Sequence, residues 1–380
     1  MDMELLLDRY PGIPWLREKA RRRIPHFAWE FLESGTGLEA LIDRNRTALD
    51  AVKLVPRFTQ GAIRPDLATN LFGRTWSAPF GIAPIGLTGF MWPGGELLLA
   101  AAARRQGIPF CASTFACETI EAIGKAAEGH AWFQLYTLAD DTMERDLLAR
   151  ARDAGMSVLV VTLDVPVAST RERQRAAGIR DGASGRGRML QALMRPSWAL
   201  ATLRRGRPRF RIFDKYARSV MEAGTRFLAD QRVGEIGAGK LQRLRDAWKG
   251  PMIVKGVLDA GDARACVRIG VDGIVVSNHG GRQFDAAPAA IEALPSVAEA
   301  VAGKATVLFD SGVRTGLDIA RALALGADFV LCGRAFIYGI CAAGEAGGEL
   351  VAHMLTADLR NNMIQAGAAG VPDLRRRLAR

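Results

Sequence analysis

Residues 306 to 336 read TVLFDSGVRTGLDIARALALGADFVLCGRAF, and this stretch decides the fold. A short β-branched and apolar run, TVLFD (306–310), meets a glycine-rich turn, SGVRTG. Apolar residues at three- and four-residue spacing then fill TGLDIARALALGAD (315–328), and a second run, FVLCG (329–333), follows. That order is strand, helix, strand, the repeating unit of an α/β protein with parallel strands. Six more such runs lie upstream: FGIAPI (80–85), IPFCAS (108–113), HAWFQLY (130–136), SVLVVTL (157–163), MIVKG (252–256) and GIVVS (273–277). Between them GELLLAAAARRQG, DTMERDLLARARDAG and DARACVRIG repeat the helical spacing and close on glycine. Eight βα units close a (β/α)8 TIM barrel. An open doubly wound sheet competes, but this many strands without a GxGxxG after the first favour closure.

Residues 1–79 precede the first strand and are expected to form an N-terminal helical cap, with amphipathic stretches at WLREKARRRI and HFAWEFLESG. Strands four and five are more than ninety residues apart. The excess, roughly 172–250, is read as a long insertion after strand 4, a lid with helical parts at SVMEAGTRFLADQ and KLQRLRDAWKG. The whole chain, 1–380, is read as a single domain, since barrels reach this length.

An apolar fraction of 49% with 24% charged residues and 41 glycines fits a soluble α/β protein with a large core, not a disordered chain. The five cysteines are scattered, without metal-ligand spacing, and no metal site is expected; reduced thiols point to the cytoplasm. No export signal opens the sequence and no uncharged apolar run is long enough to span a bilayer. The net charge of +11 is concentrated: Arg171 to Lys215 holds thirteen Arg/Lys against three Asp/Glu. Such a patch attracts anionic partners, whether phospholipid, nucleic acid or protein.

The active site of a barrel is built at the C-terminal ends of its strands. There the sequence places Pro84 and Gly86, Ser113, Gln134 and Tyr136, Thr162 and Asp164, Lys255, Ser277 with His279, Asp310 with Arg314, and Gly333 with Arg334. Any one of these could be a turn or cap residue; eight polar strand ends together point to a site. In SNHGGRQFD (277–285) an imidazole stands beside glycines that let backbone approach a ligand. His279 is the candidate general base and Asp164 its carboxylate partner. FDSGVRTG (309–316) and CGRAF (332–336) follow strands seven and eight, the usual phosphate cradle, with Arg314 and Arg334 carrying the charge.

These residues resemble the FMN-dependent 2-hydroxy-acid oxidases and dehydrogenases, the family of glycolate oxidase, flavin-type lactate dehydrogenase and mandelate dehydrogenase. The likeness runs from about residue 10 to about 365, through FQLY at 133, TLDVP at 162, VKGV at 254, SNHGGRQFD, FDSGVRTG and CGR. The resemblance implies FMN as cofactor and His279 as a base paired with Asp164. It makes Arg282 and Arg171 a clamp on the substrate carboxylate and Tyr136 a contact to its hydroxyl. Lys255 matches the family lysine near flavin N1. Ala83, Pro84, Ile85, Gly86, Ser113, Gln134, Thr162 and Ser277 match flavin-contacting positions. Asp310, Ser311, Gly312, Val313, Arg314, Gly333 and Arg334 match the ribityl and phosphate site. The implied reaction oxidises a 2-hydroxy acid to the 2-keto acid: His279 removes a proton and two electrons reach flavin N5, as hydride or through a carbanion. The reduced flavin then passes its electrons to quinone or dioxygen. A homo-oligomer, a tetramer, is expected as well.

Two departures refine this picture. Where the family has a substrate-binding tyrosine in the cap, this chain has Phe31. An apolar or bulky substrate side chain, or a modified acid end, is therefore expected, with Phe115 and Met91 lining the same pocket. Oxidases of the family tend to carry alanine at the position of Gly86 and mandelate-type dehydrogenases glycine, which favours a dehydrogenase. MRPSWALATLRRGRPRF (194–210) resembles the insertion that attaches such dehydrogenases to the bacterial inner membrane, so peripheral membrane contact through 172–215 is expected. A solvated basic loop folded over the site is the alternative. Competing functions are a non-redox flavin isomerase, which needs no Arg171–Arg282 pair, and a protein that binds a phosphorylated ligand without turnover. Nucleic acid is not expected, because no aromatic residues interleave with the basic ones.

Overall fold

The computed structural model describes residues 3–59, 61–179, 185–216 and 236–379. Eight parallel strands close a barrel: β3 (Phe80–Ile82), β4 (Phe110–Ser113), β5 (Ala131–Tyr136), β6 (Leu159–Thr162), β7 (Met252–Val257), β8 (Gly273–Val276), β9 (Thr306–Phe309) and β10 (Phe329–Cys332). Each pairs with its neighbour in sequence, and β10 pairs with β3 through Val330 opposite Phe80. Every strand falls on an apolar run that predicts it, and β7 continues one residue further, to Val257.

The period of two along each strand sorts side chains between two cores. Phe133 and Leu135, Leu159 and Val161, Met252 and Val254 point outward into the large core shared with the helices. Trp132, Val160, Ile253, Val275, Leu308, Phe329 and Leu331 point inward and fill the barrel. The next inward position on each strand is therefore the first above this plug. It is Ser113 on β4, Gln134 on β5, Thr162 on β6 and Lys255 on β7, and just past the strand ends Ser277, Asp310 and Gly333. Alternation alone brings the polar strand ends to one floor at the barrel mouth.

The cap is helical only as far as residue 51: Met3–Arg9, Ile13–Arg23, His26–Glu33 and Ala40–Ala51. The expectation of a helical segment through residue 79 is corrected here. An antiparallel ribbon, β1 (Thr69–Leu71) and β2 (Arg74–Trp76), turns at Phe72 and Gly73, both with positive φ (51° and 76°). Phe72 and Trp76 stand edge-on to Trp132, at 5.9 and 6.2 Å, and stop the barrel's lower end. Its strands, TNL and RTW, carry no apolar run of the kind that marks even the three-residue β3, so nothing in the sequence announces them.

Within the insertion the described helices are Glu172–Ala176, Gly185–Leu193, Pro196–Arg205 and Ala238–Ala247, with a 3-10 turn at Arg211–Phe213. The segment SVMEAGTRFLADQ lies outside the described residues. Ala238–Ala247 takes the place of the barrel helix between β6 and β7, packing on Ala260–Ile269. The pair 185–193 and 196–205 is pinned to the cap and to the segment after β3. The Trp198 indole donates to the Met91 carbonyl (3.1 Å), Arg195 Nε to the Ile24 carbonyl (3.1 Å), and the Phe27 amide to Gln191 Oε1 (3.0 Å).

Candidate active site

A cavity of about 1280 Å³, including its open mouth, lies above the polar floor and under the helix His26–Glu33. His279 lines it. Its φ is 57°, and Gly280 and Gly281 follow at 66° and 77°, three left-handed residues in a row. A non-glycine residue holds such a conformation only where its surroundings impose it. Here the amide of His279 donates to Ser277 Oγ (3.1 Å), that of Gly280 to Ser311 Oγ (3.1 Å) and that of Gly281 to Asn278 Oδ1 (3.3 Å).

The imidazole is held by Nδ1, which lies 2.9 Å from Asp164 Oδ1, while Nε2 faces the cavity 3.3 Å from the Tyr136 hydroxyl. Burial, aided by Lys255 and Arg171, pushes the His279 pKa below its ordinary value although Asp164 pulls it up. Burial also works against the Asp164 carboxylate, but His279 and Lys255 outweigh it and hold that pKa down. The pair at neutral pH is thus a carboxylate beside a neutral imidazole. With Nδ1–H donated to Asp164, Nε2 is left with a lone pair, the state of a general base. Burial and Asp164 raise the Tyr136 pKa, so its hydroxyl keeps its proton.

Gly256 makes this geometry possible. Its φ is 100°, at a register shift between β7 and β8, and a Cβ there would lie 2.4 Å from Asp164 Cγ. The bulge lets Asp164 lie against bare backbone beside Lys255. Lys255 Nζ donates to Ser277 Oγ (2.8 Å) and lies 3.3 Å from Asp310 Oδ2. Burial would discharge it, but Asp310 and Asp164 keep its pKa raised, so a fixed positive charge sits in the floor. Beside it the Ser113 hydroxyl donates to Gln134 Oε1 (3.0 Å) and Gln134 Nε2 to Thr162 Oγ1 (2.9 Å), a row of oriented dipoles.

On the β9–β10 side, Ser311 and Gly312 have φ of 88° and 89°, and a capping box at Thr315 and Asp318 starts the helix Gly316–Ala324. Arg314 lies at the entrance to that helix, its amide donating to Asp318 Oδ2 (2.9 Å). Loop amides beside a guanidinium are the groups that can hold a phosphate, while the first amides of the helix, those of Arg314 and Thr315, are spent on Asp318 Oδ2. Arg334 lines the same cavity and donates from Nε to the cap, at the Leu32 carbonyl (3.0 Å), and from Nη1 to the loop of His279, at the Gly280 carbonyl (3.1 Å). Arg282 Nη1 donates to the Phe31 and Ser34 carbonyls (2.9 and 2.8 Å), and its guanidinium lies 5.4 Å from the centre of the Phe31 ring. The C-terminal carbonyls of one cap helix thus hold both arginines over the mouth.

Arg171 (φ 43°) completes the cationic side, with Nε on Ser169 Oγ (2.8 Å) and Nη2 on Gln283 Oε1 (2.9 Å). Burial, together with Arg171 and Arg334, pushes the Arg282 pKa well below its ordinary range. A guanidinium does not deprotonate in practice, so an anion bound between the arginines would relieve this repulsion. Ala83, Pro84, Ile85 and Gly86 form the opposite wall with Met91 and Phe115. Gly86 has no left-handed φ, but a Cβ there would press on Phe115 Cβ at 3.3 Å, a tight contact that glycine avoids.

The structure brings together the site residues expected from sequence; Ser113, Gln134, Thr162 and Ser277 form the buried layer beneath the cavity. Sequence reasoning missed Asn45 and Arg46 of the cap, Asn278, Gly256 and Phe210. Asn278 and Gly256 stand inside quoted motifs, next to residues whose chemistry drew notice first. Asn45, Arg46 and Phe210 carry no local signal, because their partners are hundreds or scores of residues away.

Loop amides and a guanidinium beside a cavity with a cation and dipoles in its floor fit a phosphorylated heteroaromatic cofactor, and the facing arginines fit an anionic substrate: the class is a barrel oxidoreductase that works with a bound nucleotide cofactor. Residues 20–380 match the FMN-dependent dehydrogenase family. The chain belongs to that family, and its cofactor is FMN. It is 40% identical over 366 residues to an L-lactate dehydrogenase of Ectopseudomonas mendocina (strain ymp), covering 94% of this chain and 95% of that one. Among solved structures it is similar to a monotopic membrane protein, (S)-mandelate dehydrogenase, with a TM-score of 0.91 and 34% identity over 97% of this chain and 98% of that chain. A mandelate oxidase matches with a TM-score of 0.83 and 33% identity, again over 97% of this chain and 98% of the other.

Proposed function

We propose that this protein oxidises a 2-hydroxy acid to the corresponding 2-keto acid, with His279 as the base. The observation that carries the reading is the imidazole itself, locked by Asp164 at 2.9 Å, with Nε2 turned to Tyr136 and to the cavity that Arg171 and Arg282 line. The two guanidinium groups take the substrate carboxylate, which sets the C2 end against Nε2 and the Tyr136 hydroxyl. His279 Nε2 takes the proton lost from C2 or from the 2-hydroxyl, and Asp164 stabilises the imidazolium that results. Bound FMN would supply an acceptor for the two electrons released at C2 and a route for them to a second substrate. Ser311 to Arg314 with Gly333 and Arg334 would hold its phosphate, and Ala83 to Gly86, Ser113, Gln134, Thr162, Ser277, Asp310 and Lys255 would hold the rest. Lys255 supplies positive charge where the cofactor gains electron density. The chain acts as one FMN-binding unit, with 1–79 as cap and 172–250 as lid.

The substrate side chain is apolar or bulky on this reading, because Phe31, Met91 and Phe115 offer it no polar partner. Relatives named L-lactate and (S)-mandelate dehydrogenase support the reaction class. Bleaching of the yellow holoenzyme under anaerobic conditions by 2-hydroxy acids is the test, and failure with both aliphatic and aromatic acids would refute the proposal.

The same reading makes the acceptor a quinone in preference to dioxygen and places the protein peripherally on the inner membrane. No described helix is long and apolar enough to cross a membrane. The helix pair 185–193 and 196–205 instead exposes Met189, Leu190, Leu193, Leu200 and Leu203 beside Arg204 and Arg205. An apolar face flanked by arginines suits an anionic lipid surface. Sedimentation with anionic but not neutral vesicles is expected, and reoxidation by quinone faster than by dioxygen. A homo-tetramer, measurable by light scattering, belongs to the proposal too.

A further inference from the structure

Phe210 comes from the insertion, yet its side chain lines the cavity. It stands edge-on to Phe115 with ring centres 5.7 Å apart, and Phe115 lies 5.2 Å from Tyr136. The three rings make a wall leading away from the imidazole, with Tyr136 innermost and Phe210 outermost. The segment behind Phe210 is anchored. Ile212 and Phe213 are buried, Arg150 Nη1 donates to the Ile212 carbonyl (3.0 Å), and Arg211 pairs with Glu118 (2.9 Å). Met91 and Leu87 line the same cavity without polar side-chain groups to offer.

The carboxylate and the 2-hydroxyl are common to every 2-hydroxy acid, so the groups that hold them do not distinguish one acid from another. Discrimination must fall on what touches the C2 substituent. A methyl group placed at Tyr136 would stop short of Phe210, whereas a six-membered ring extends along the wall and displaces water from it.

We propose that Phe210 selects the substrate's C2 substituent, favouring an aromatic ring over a methyl group. The proposal rests on the reading of this cavity as a 2-hydroxy-acid site. It assigns to the insertion a part in substrate choice in addition to any part in membrane contact.

The test compares holoenzymes, parent against Phe210→Ala and Phe210→Leu, by anaerobic flavin bleaching with mandelate and with lactate. The parent is expected to favour mandelate. In Phe210→Ala the mandelate-to-lactate ratio of kcat/KM should fall about 10- to 30-fold, chiefly through KM for mandelate, with a smaller fall in Phe210→Leu. An unchanged ratio, or equal losses with both acids, overturns the assignment. If Phe210→Ala does not retain FMN, the ratio in Phe210→Leu decides. A parent bleached by lactate and not by mandelate sinks the Phe210 proposal alone; a parent bleached by neither sinks the underlying function with it.

Discussion

Asn45, on the cap helix Ala40–Ala51, and Asn278, one residue before the proposed base, hold each other through reciprocal amide hydrogen bonds. Asn45 Nδ2 donates to Asn278 Oδ1 (3.0 Å) and Asn278 Nδ2 to Asn45 Oδ1 (2.7 Å). Both side chains are buried. The Ala290 amide also donates to Asn45 Oδ1 (3.2 Å), and Asn278 Nδ2 also donates to the Pro288 carbonyl (3.1 Å). Arg46, the next residue, donates to the Gly312 carbonyl and pairs with Asp318, each at 2.7 Å. One turn of cap helix therefore fixes both the loop of the base and the phosphate loop.

Replacing Asn45 by Leu would leave Asn278 only its bonds to Pro288 and Gly281 and would strand the buried Ala290 N–H, the latter at a cost of about 1–3 kcal/mol. The expected result is a lower Tm and slower flavin reduction, with kcat falling more than KM rises. Thermal unfolding and stopped-flow reduction measure the two. A variant with parent kcat would show that the pair does not position the base.

His279 must be neutral to act, and burial with Lys255 and Arg171 holds its pKa under the ordinary 6.5. Because the unprotonated form is the active one, kcat/KM should rise with pH through an acid limb centred below pH 6.5 and be level near neutrality. Asp164→Asn removes the partner that raises this pKa, so the limb should move to lower pH while the maximal rate drops about 10²- to 10⁴-fold. His279→Ala should keep its FMN and lose reduction by a similar factor. A limb above pH 7, or parent-like reduction by His279→Ala, would contradict the assigned role.

Gly256→Ala forces a Cβ to within 2.4 Å of Asp164 Cγ at a φ of 100°. The carboxylate has to move off the imidazole, and a shift of an ångström in such a constellation costs about 100-fold in rate. Gly155→Ala is the control: it too has a positive φ, but nothing lies within 4 Å of its added Cβ. Equal rates in the two variants would detach Gly256 from the chemistry.

Phe31→Tyr adds a hydroxyl to a ring that already lines the cavity beneath Arg282. One new neutral hydrogen bond is worth about 1 kcal/mol, so KM for lactate should fall about fivefold with little change in kcat. Unchanged KM would mean that the ring edge does not face the carboxylate.

The barrel was legible in the sequence because each strand is a short apolar run ending in a polar residue, and alternation then sends Ser113, Gln134, Thr162 and Lys255 to one floor. The motifs around His279, Asp310 and Gly333 were legible for a related reason: unusual residue types cluster within a few positions of a strand end. The ribbon at 69–76 was not, since TNL and RTW mix polar and apolar residues and form no apolar run.

The sequence by itself determined eight strand–helix units, the polar residues that end them and the family to which they belong, all of which depend on neighbours a few residues apart. Tertiary structure decided that Arg282 and Arg334 bind cap carbonyls, that Asn45 grips Asn278 across 233 positions, and that Phe210 reaches the cavity from the insertion. Those contacts join groups distant along the chain, and they exist only once burial has brought cap, barrel and insertion together, where every polar group must find a partner.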